Sequence, residues 1–145
     1  MKKVPLTLIF FLLMALPFQL LAQNMDSTRP FRGTFVCQEA NLTLNLDAYE
    51  ESVSVPNMDF LGKLNGYMSG RGVYGVWLIT SCSVDKGKVT IRLSNDTGSD
   101  AQAVIFTMLN DSTFRYSAVG NNVVKKAVGR KLVKIDSQMT FKRKR

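Results

Sequence analysis

Cys37 and Cys82 are the only thiols in the chain, and there is no histidine. A Cys–His nucleophile is therefore excluded, and the commonest general base is absent. Two cysteines alone are too few ligands for a typical zinc site. In an oxidising compartment an isolated pair usually bonds, and the loop closed between them implies roughly 4 kcal/mol on the chain-entropy view. The expectation is one structural disulfide, Cys37–Cys82.

Carboxylates are the remaining candidates for catalysis. The glutamates are Glu39, Glu50 and Glu51, with Asp47 close to the last two. Paired carboxylates hydrolyse glycosides when they flank the bond, but adjacent residues on a strand face opposite ways. Glu50 and Glu51 read as solvated hairpin charges. No Gly-x-Ser-x-Gly elbow, phosphate loop or zinc motif occurs. The expectation is a protein that is not an enzyme, with no cofactor and no metal. Asn95, Asp96 and Asp100 around Gly98 resemble part of a calcium loop, but the oxygens are too few and no closing glutamate follows. A hairpin held by Asx turns uses the same residues.

Two further segments bear on binding. Residues 64–77 (LNGYMSGRGVYGVW) hold four glycines and two tyrosines. Glycines in a strand mark bulges or close approach of a neighbour. Tyr67, Tyr74 and Trp77, together with Phe106, are the candidate ligand-binding residues, since aromatic side chains are favoured in binding sites. The bland alternative is that they pack the core and edge of a bent strand. Lys125, Lys126, Arg130, Lys131, Lys134 and Lys142 to Arg145 make the C-terminal region basic. Such a surface suits an anionic envelope or glycan, or is a solubilising face.

The elements that must position these residues begin after a leader. Lys2 and Lys3 precede an uncharged apolar run, Val4 to Leu21, which exits through Ala22 to Gln23. Basic start, apolar middle and small-residue exit are the parts of a secretory signal. Cleavage after Ala22 is expected, leaving 17 basic and 11 acidic residues, a net charge of +6. Position 23 is Gln, so no lipid anchor is expected. The reading is therefore a bacterial periplasmic or extracellular product that neither spans a membrane nor binds nucleic acid. Its organisation is a signal peptide over 1–22, a flexible leader over 23–30 and one β domain over 31–145 with a basic tip.

From Phe31 onward the hydrophobic period is two. Leu42, Leu44 and Leu46 alternate with polar residues, as do Val53/Val55, Val89/Ile91/Leu93 and Phe114/Tyr116/Ala118. These patterns predict half-buried strands. Residues 73–80 and 103–109 are apolar on both faces and predict central strands. Residues 57–64 allow a short helical turn. Turn clusters at 85–88, 95–100, 110–112 and 120–122 divide the runs at about ten-residue spacing, the signature of a barrel or sandwich. An all-β fold follows: a single antiparallel barrel or sandwich of eight or nine strands.

Phe31-Arg32-Gly33-Thr34-Phe35 opens the first strand, and an aromatic-basic strand closes the chain. This resembles the calycin group, lipocalins and fatty-acid-binding proteins, with Phe35 where Trp is usual. The paired helices and terminal Arg-x-Tyr of the fatty-acid binders are absent. The resemblance implies a lipocalin-like barrel holding a small apolar ligand. Ser69-Gly70-Arg71-Gly72-Val73-Tyr74 is similar, with one residue too many, to the Ser-Gly-x-x-Tyr loop of exported bacterial inhibitors of c-type lysozyme. That resemblance implies contact with a protein partner through Ser69, Gly70 and Arg71. The expected function is a non-catalytic binding protein carrying a small apolar ligand; the alternative is a secreted inhibitor or adhesion-type protein using the Ser69–Tyr74 loop.

Overall fold

A computed structural model describes residues 28–98 and 100–145. The expected signal peptide and most of the leader lie outside the described residues. Phe31–Arg145 forms one compact unit.

Among the described residues twelve strands build it: β1 (Arg32–Cys37), β2 (Leu42–Asp47), β3 (Val53–Ser54), β4 (Lys63–Leu64), β5 (Gly66–Gly70), β6 (Trp77–Asp85), β7 (Lys88–Asn95), β8 (Ala101–Met108), β9 (Thr113–Ala118), β10 (Lys125–Val128), β11 (Lys131–Lys134) and β12 (Gln138–Arg143). Eight of them close an antiparallel barrel in the order β1-β12-β9-β8-β7-β6-β5-β2. The pairs β3–β4 and β10–β11 are separate two-stranded sheets. The helical turn expected over 57–64 is a single 3-10 turn, Asp59–Leu61, with no buried residue. Among the described residues no helix is long and apolar enough to cross a membrane.

Alternation in the sequence becomes inside and outside in the barrel. Phe35, Leu42, Leu44, Leu46, Val89, Ile91, Leu93, Val104, Phe106, Phe114, Tyr116 and Phe141 all point inward and are buried. Phe106 and Phe114 stack with centroids 5.2 Å apart, and Phe35 meets both edge-on at 5.2 and 4.7 Å. Phe31, just before β1, closes the same cluster at 5.9 Å from Phe114. Phe141 packs against Phe106 at 5.7 Å and Tyr116 at 5.8 Å. Each ring removed from water contributes about 1.5–3 kcal/mol, and edge-on pairs add to it. The middle of the barrel is thus filled by its own aromatic side chains.

Two departures from simple alternation have local causes. The strand expected to start at residue 73 begins at Trp77, and it runs past Thr80 to Asp85. A register shift between Ile79 and Ser81 leaves Thr80 as the extra residue of a bulge. The shift moves Cys82 opposite Ile91, onto the inner face. Gly66 and Gly70 lie where β2 comes close: a Cβ on either would sit 1.9 Å from the carbonyl oxygen of Asn45 or Asn41. Close approach is the role expected of these glycines.

The disulfide expectation is corrected. Cys37 and Cys82 are both free thiols. Cys37 is at the end of β1 and Cys82 is on β6, with β2 and β5 between those strands around the barrel. Although both side chains face the core, a bridge needs Cα atoms within about 7 Å, and strands about 4.8 Å apart that are separated by two others exceed that reach. Burial pushes the Cys82 thiol up, reinforced by the negative charge of Asp47, to about 12.

Candidate functional site

The barrel has two rims. One carries the tight hairpin ends at 86–87 and 109–112 and the β3–β4 excursion. The other carries the connections 38–41, 71–76, 96–100 and 119–137. The sequence-derived site residues scatter with respect to these rims. Trp77 and Phe106 point inward and are fully buried, so they are core residues and do not line a pocket mouth. Tyr67 sits on the outer face of β5, paired with Asn45 and Leu78. Ser69 pairs with Thr43 on the same outer face, and Gly70 ends the strand. Arg71 and Tyr74 are exposed in the 71–76 connection, Tyr74 to 50%. The four aromatic candidates therefore do not form one site, whereas Ser69, Gly70, Arg71 and Tyr74 stay together at the second rim.

Contacts on both sides hold the 71–76 connection in place. The Asn95 carboxamide donates to the Tyr74 carbonyl at 3.0 Å, and the Asp96 carboxylate accepts the Val76 N–H at 2.8 Å. On its other side the segment pairs with β10. The Tyr74 N–H donates to the Lys125 carbonyl at 2.9 Å, the Ala127 N–H donates to the Gly72 carbonyl at 2.7 Å, and Val73 bridges to Lys126. The Asn95 oxygen also accepts from the Thr97 N–H and hydroxyl. The residues weighed as a calcium loop thus serve as Asx turn and tether. Among the described residues no group of three or more His, Cys, Asp or Glu is placed to hold a metal.

β10 and β11 extend this arrangement outward. Lys125 pairs with Lys134, Lys126 with Val133, Ala127 with Leu132 and Val128 with Lys131, around Gly129 and Arg130. Gly129 has φ +64, and positive φ at the first loop position is the pattern of a type II′ hairpin turn. Beneath it, Asn122 is buried and donates to the Asp136 and Ile135 carbonyls at 2.9 and 3.4 Å. The Tyr116 hydroxyl donates to the Asn122 oxygen at 3.5 Å. Gln102 donates to the Val119 carbonyl and accepts from the Val123 N–H. These polar groups pin the crossing chain over the barrel mouth.

The result is a rim with an unusual exposed composition. Tyr74, Val119, Val128, Leu132 and Val133 are all exposed there, Val128 to 52% and Leu132 to 50%. Five cations, Lys125, Lys126, Arg130, Lys131 and Lys134, lie among them, and no carboxylate occurs between Val119 and Ile135. Sequence reasoning found the cations but not the hairpin. It also missed Phe60, 83% exposed on the 3-10 turn at the other rim.

The basic C-terminal tip is partly absorbed into the fold. Arg143 turns inward, its guanidinium 5.0 Å from the Phe35 ring centre and 5.2 Å from that of Phe114. It donates to the Arg32 carbonyl at 2.9 Å and the Asp111 carbonyl at 3.3 Å. An open groove of about 690 Å³ runs along the outside of the barrel by β1 and β12, lined by Val36, Glu39, Thr140, Lys142 and Lys144 among others. Its size suits a small ligand, and the residues along it are mostly polar and carry both charges.

Comparison with protein-family models, with curated proteins and with solved structures gave no match.

Proposed function

We propose that this chain is an exported, non-catalytic binding protein. It engages a protein partner from the rim built by the 71–76 connection and the β10–β11 hairpin. One observation carries the reading. The inside of the barrel is occupied by rings in mutual contact, while this rim leaves Tyr74, Val119, Val128, Leu132 and Val133 exposed among cations. Several exposed apolar side chains on one rim, among polar neighbours, point to an interaction surface. A small apolar ligand inside the barrel is supported less, because Phe35, Phe106, Phe114 and Phe141 fill the space it would need.

A photoreactive residue at Tyr74, with a second at Phe60 as control, tests the proposal in the protein's own compartment. Adduct formation with a discrete protein from position 74, and none from position 60, is the expected result. Adducts from both positions alike, or from neither, would remove the rim from consideration.

A further inference from the structure

β11 is a free sheet edge. The two-stranded sheet β10–β11 has β10 flanked by the 72–74 segment, and β11 has no strand on its outer side among the described residues. The hydrogen-bond pattern shows which groups point outward. The Lys125 carbonyl and the Ala127 N–H bond to Tyr74 and Gly72, away from β11. In an antiparallel ladder, directly opposed residues share the same orientation. The partners of Lys125 and Ala127 are Lys134 and Leu132, so the N–H and carbonyl of Leu132 and Lys134 face away from β10. The Ile135 N–H bond to the Val124 carbonyl, one pair further on, fits the same alternation. All four residues of β11 are exposed.

Resting on the rim reading above, we infer that β11 receives an extended acidic segment of the partner protein as an added strand. Strand addition to an open edge takes its affinity from main-chain hydrogen bonds and its selectivity from alternate side chains. Charge selects the occupant here. A second copy of β11 laid antiparallel would bring a second set of the cations at 125–134 to the same edge, with no carboxylate between Val119 and Ile135 to offset them, and like charges so close are unfavourable. Lysines on an edge are the usual guard against such self-pairing. An incoming strand with carboxylates opposite Lys131 and Lys134 replaces that repulsion with two attractions. Lys125, Lys126 and Arg130 add to the same field, and the next carboxylate along the chain is Asp136. Leu132 and Val133 lie between the two lysines and offer apolar contact to the middle of the added strand.

The test uses the full chain and a capped synthetic hexapeptide of sequence threonine–glutamate–valine–valine–glutamate–threonine. Two control peptides carry lysine for glutamate, or N-methyl groups on the valine nitrogens. Backbone amide NMR is the readout. The acidic peptide is expected to shift the amides of residues 131–134 and to slow hydrogen exchange at Leu132 and Lys134, and added salt weakens it. Both controls are expected to leave these signals unmoved. Leu132→Pro removes an outward N–H without breaking a bond to β10, and is expected to weaken the peptide about fivefold, the worth of one hydrogen bond. Lys131→Glu with Lys134→Glu should abolish binding while the remaining barrel amides keep their positions. Equal binding of the lysine or N-methyl peptide overturns the inference, as does no shift with any peptide. Anionic phosphatidylglycerol vesicles moving the same amides while the acidic peptide does not would also overturn it. Adducts from position 74 together with any of these failures would leave the rim reading standing and remove only the added strand.

Discussion

Replacing Phe106 with alanine removes a ring that touches Phe31, Phe35, Phe114 and Phe141, at centroid distances of 6.4, 5.2, 5.2 and 5.7 Å. The ring is fully buried. Large-to-small changes of a core phenylalanine cost about 3–5 kcal/mol, made of lost transfer free energy and a cavity the surroundings only partly fill. Phe106 belongs at the middle of that range or above, because four neighbouring rings lose a contact each and are themselves anchored on the β1 segment, β9 and β12. With a denaturation slope near 2 kcal/mol per molar urea, a loss of about 4 kcal/mol lowers the urea midpoint by about 2 M. For a domain of this size the thermal midpoint falls by about 15 °C. The assay is equilibrium urea unfolding followed by the fluorescence of Trp77. The cavity left in the variant is apolar, and apolar cavities of this kind stay dry and take benzene-sized guests. Benzene should therefore raise the midpoint of Phe106→Ala and leave the parent unchanged. A loss below about 1 kcal/mol, or equal stabilisation of the parent by benzene, would mean that the ring borders open space and that the barrel is hollow.

Three other expectations rest on single sites. Both thiols are free, so intact mass should not rise on reduction, and Cys82 should react with a disulfide reagent at pH 8 far more slowly in the native protein than in denaturant; prompt native labelling would contradict its burial. Because the folded Cys82 holds its proton to about 12 against an ordinary value of 9.0, its contribution to stability is complete below pH 9 and is lost as pH rises toward 12. At Asp47, burial raises the carboxyl pKa, but the Ser52 hydroxyl, the Tyr49 and Glu50 N–H groups and the Arg32 charge together outweigh it and hold the group below its ordinary value. Its stabilisation is present above pH 3.8 and is lost as pH falls through the lower folded value. Urea midpoints at pH 6 and pH 2.5 should differ less in Asp47→Asn, which should itself cost about 1–3 kcal/mol at pH 6; an unchanged pH dependence would refute the assignment. Gly75 has φ +77, and a Cβ there would lie 2.7 Å from either terminal atom of Asn95 and 2.8 Å from an Asp96 carboxylate oxygen. Gly75→Ala should cost about 1–2 kcal/mol from backbone strain alone and loosen the 71–76 connection, seen as faster exchange of the Tyr74 amide.

Strand positions were legible wherever one face is buried. Leu42, Leu44 and Leu46, then Val89, Ile91 and Leu93, then Phe114 and Tyr116, alternate in sequence because they alternate between core and solvent. The stretch 103–109, apolar on both faces, is β8, whose outward residues Ala103 and Ile105 are only partly covered. Legibility fails where the partner strand decides. The bulge at Thr80 sets the inward direction of Cys82, and nothing in residues 77–85 alone reveals it. The cysteine pair looked bonded because pairing was inferred from compartment and count, whereas the order of strands around the barrel sets the separation. Tyr67, Tyr74, Trp77 and Phe106 looked alike as aromatic candidates, but alternation sends Trp77 and Phe106 inside and Tyr67 outside. The β10–β11 hairpin was hidden because β11 is exposed on both faces and β10 buries no apolar side chain, so neither carries a hydrophobic period, leaving only the cations at 125–134 as a signal.

The central claim is that the barrel is filled and that binding takes place on its outside, at the 71–76 and β10–β11 rim. Native mass spectrometry of the protein purified from its own compartment tests this most directly, run in parallel on the parent and on a Tyr74→Ala/Leu132→Pro variant. The account predicts a parent that carries no small apolar molecule and retains a protein partner, which the variant loses. A small apolar molecule released from both proteins on denaturation, with no partner on either, would contradict it.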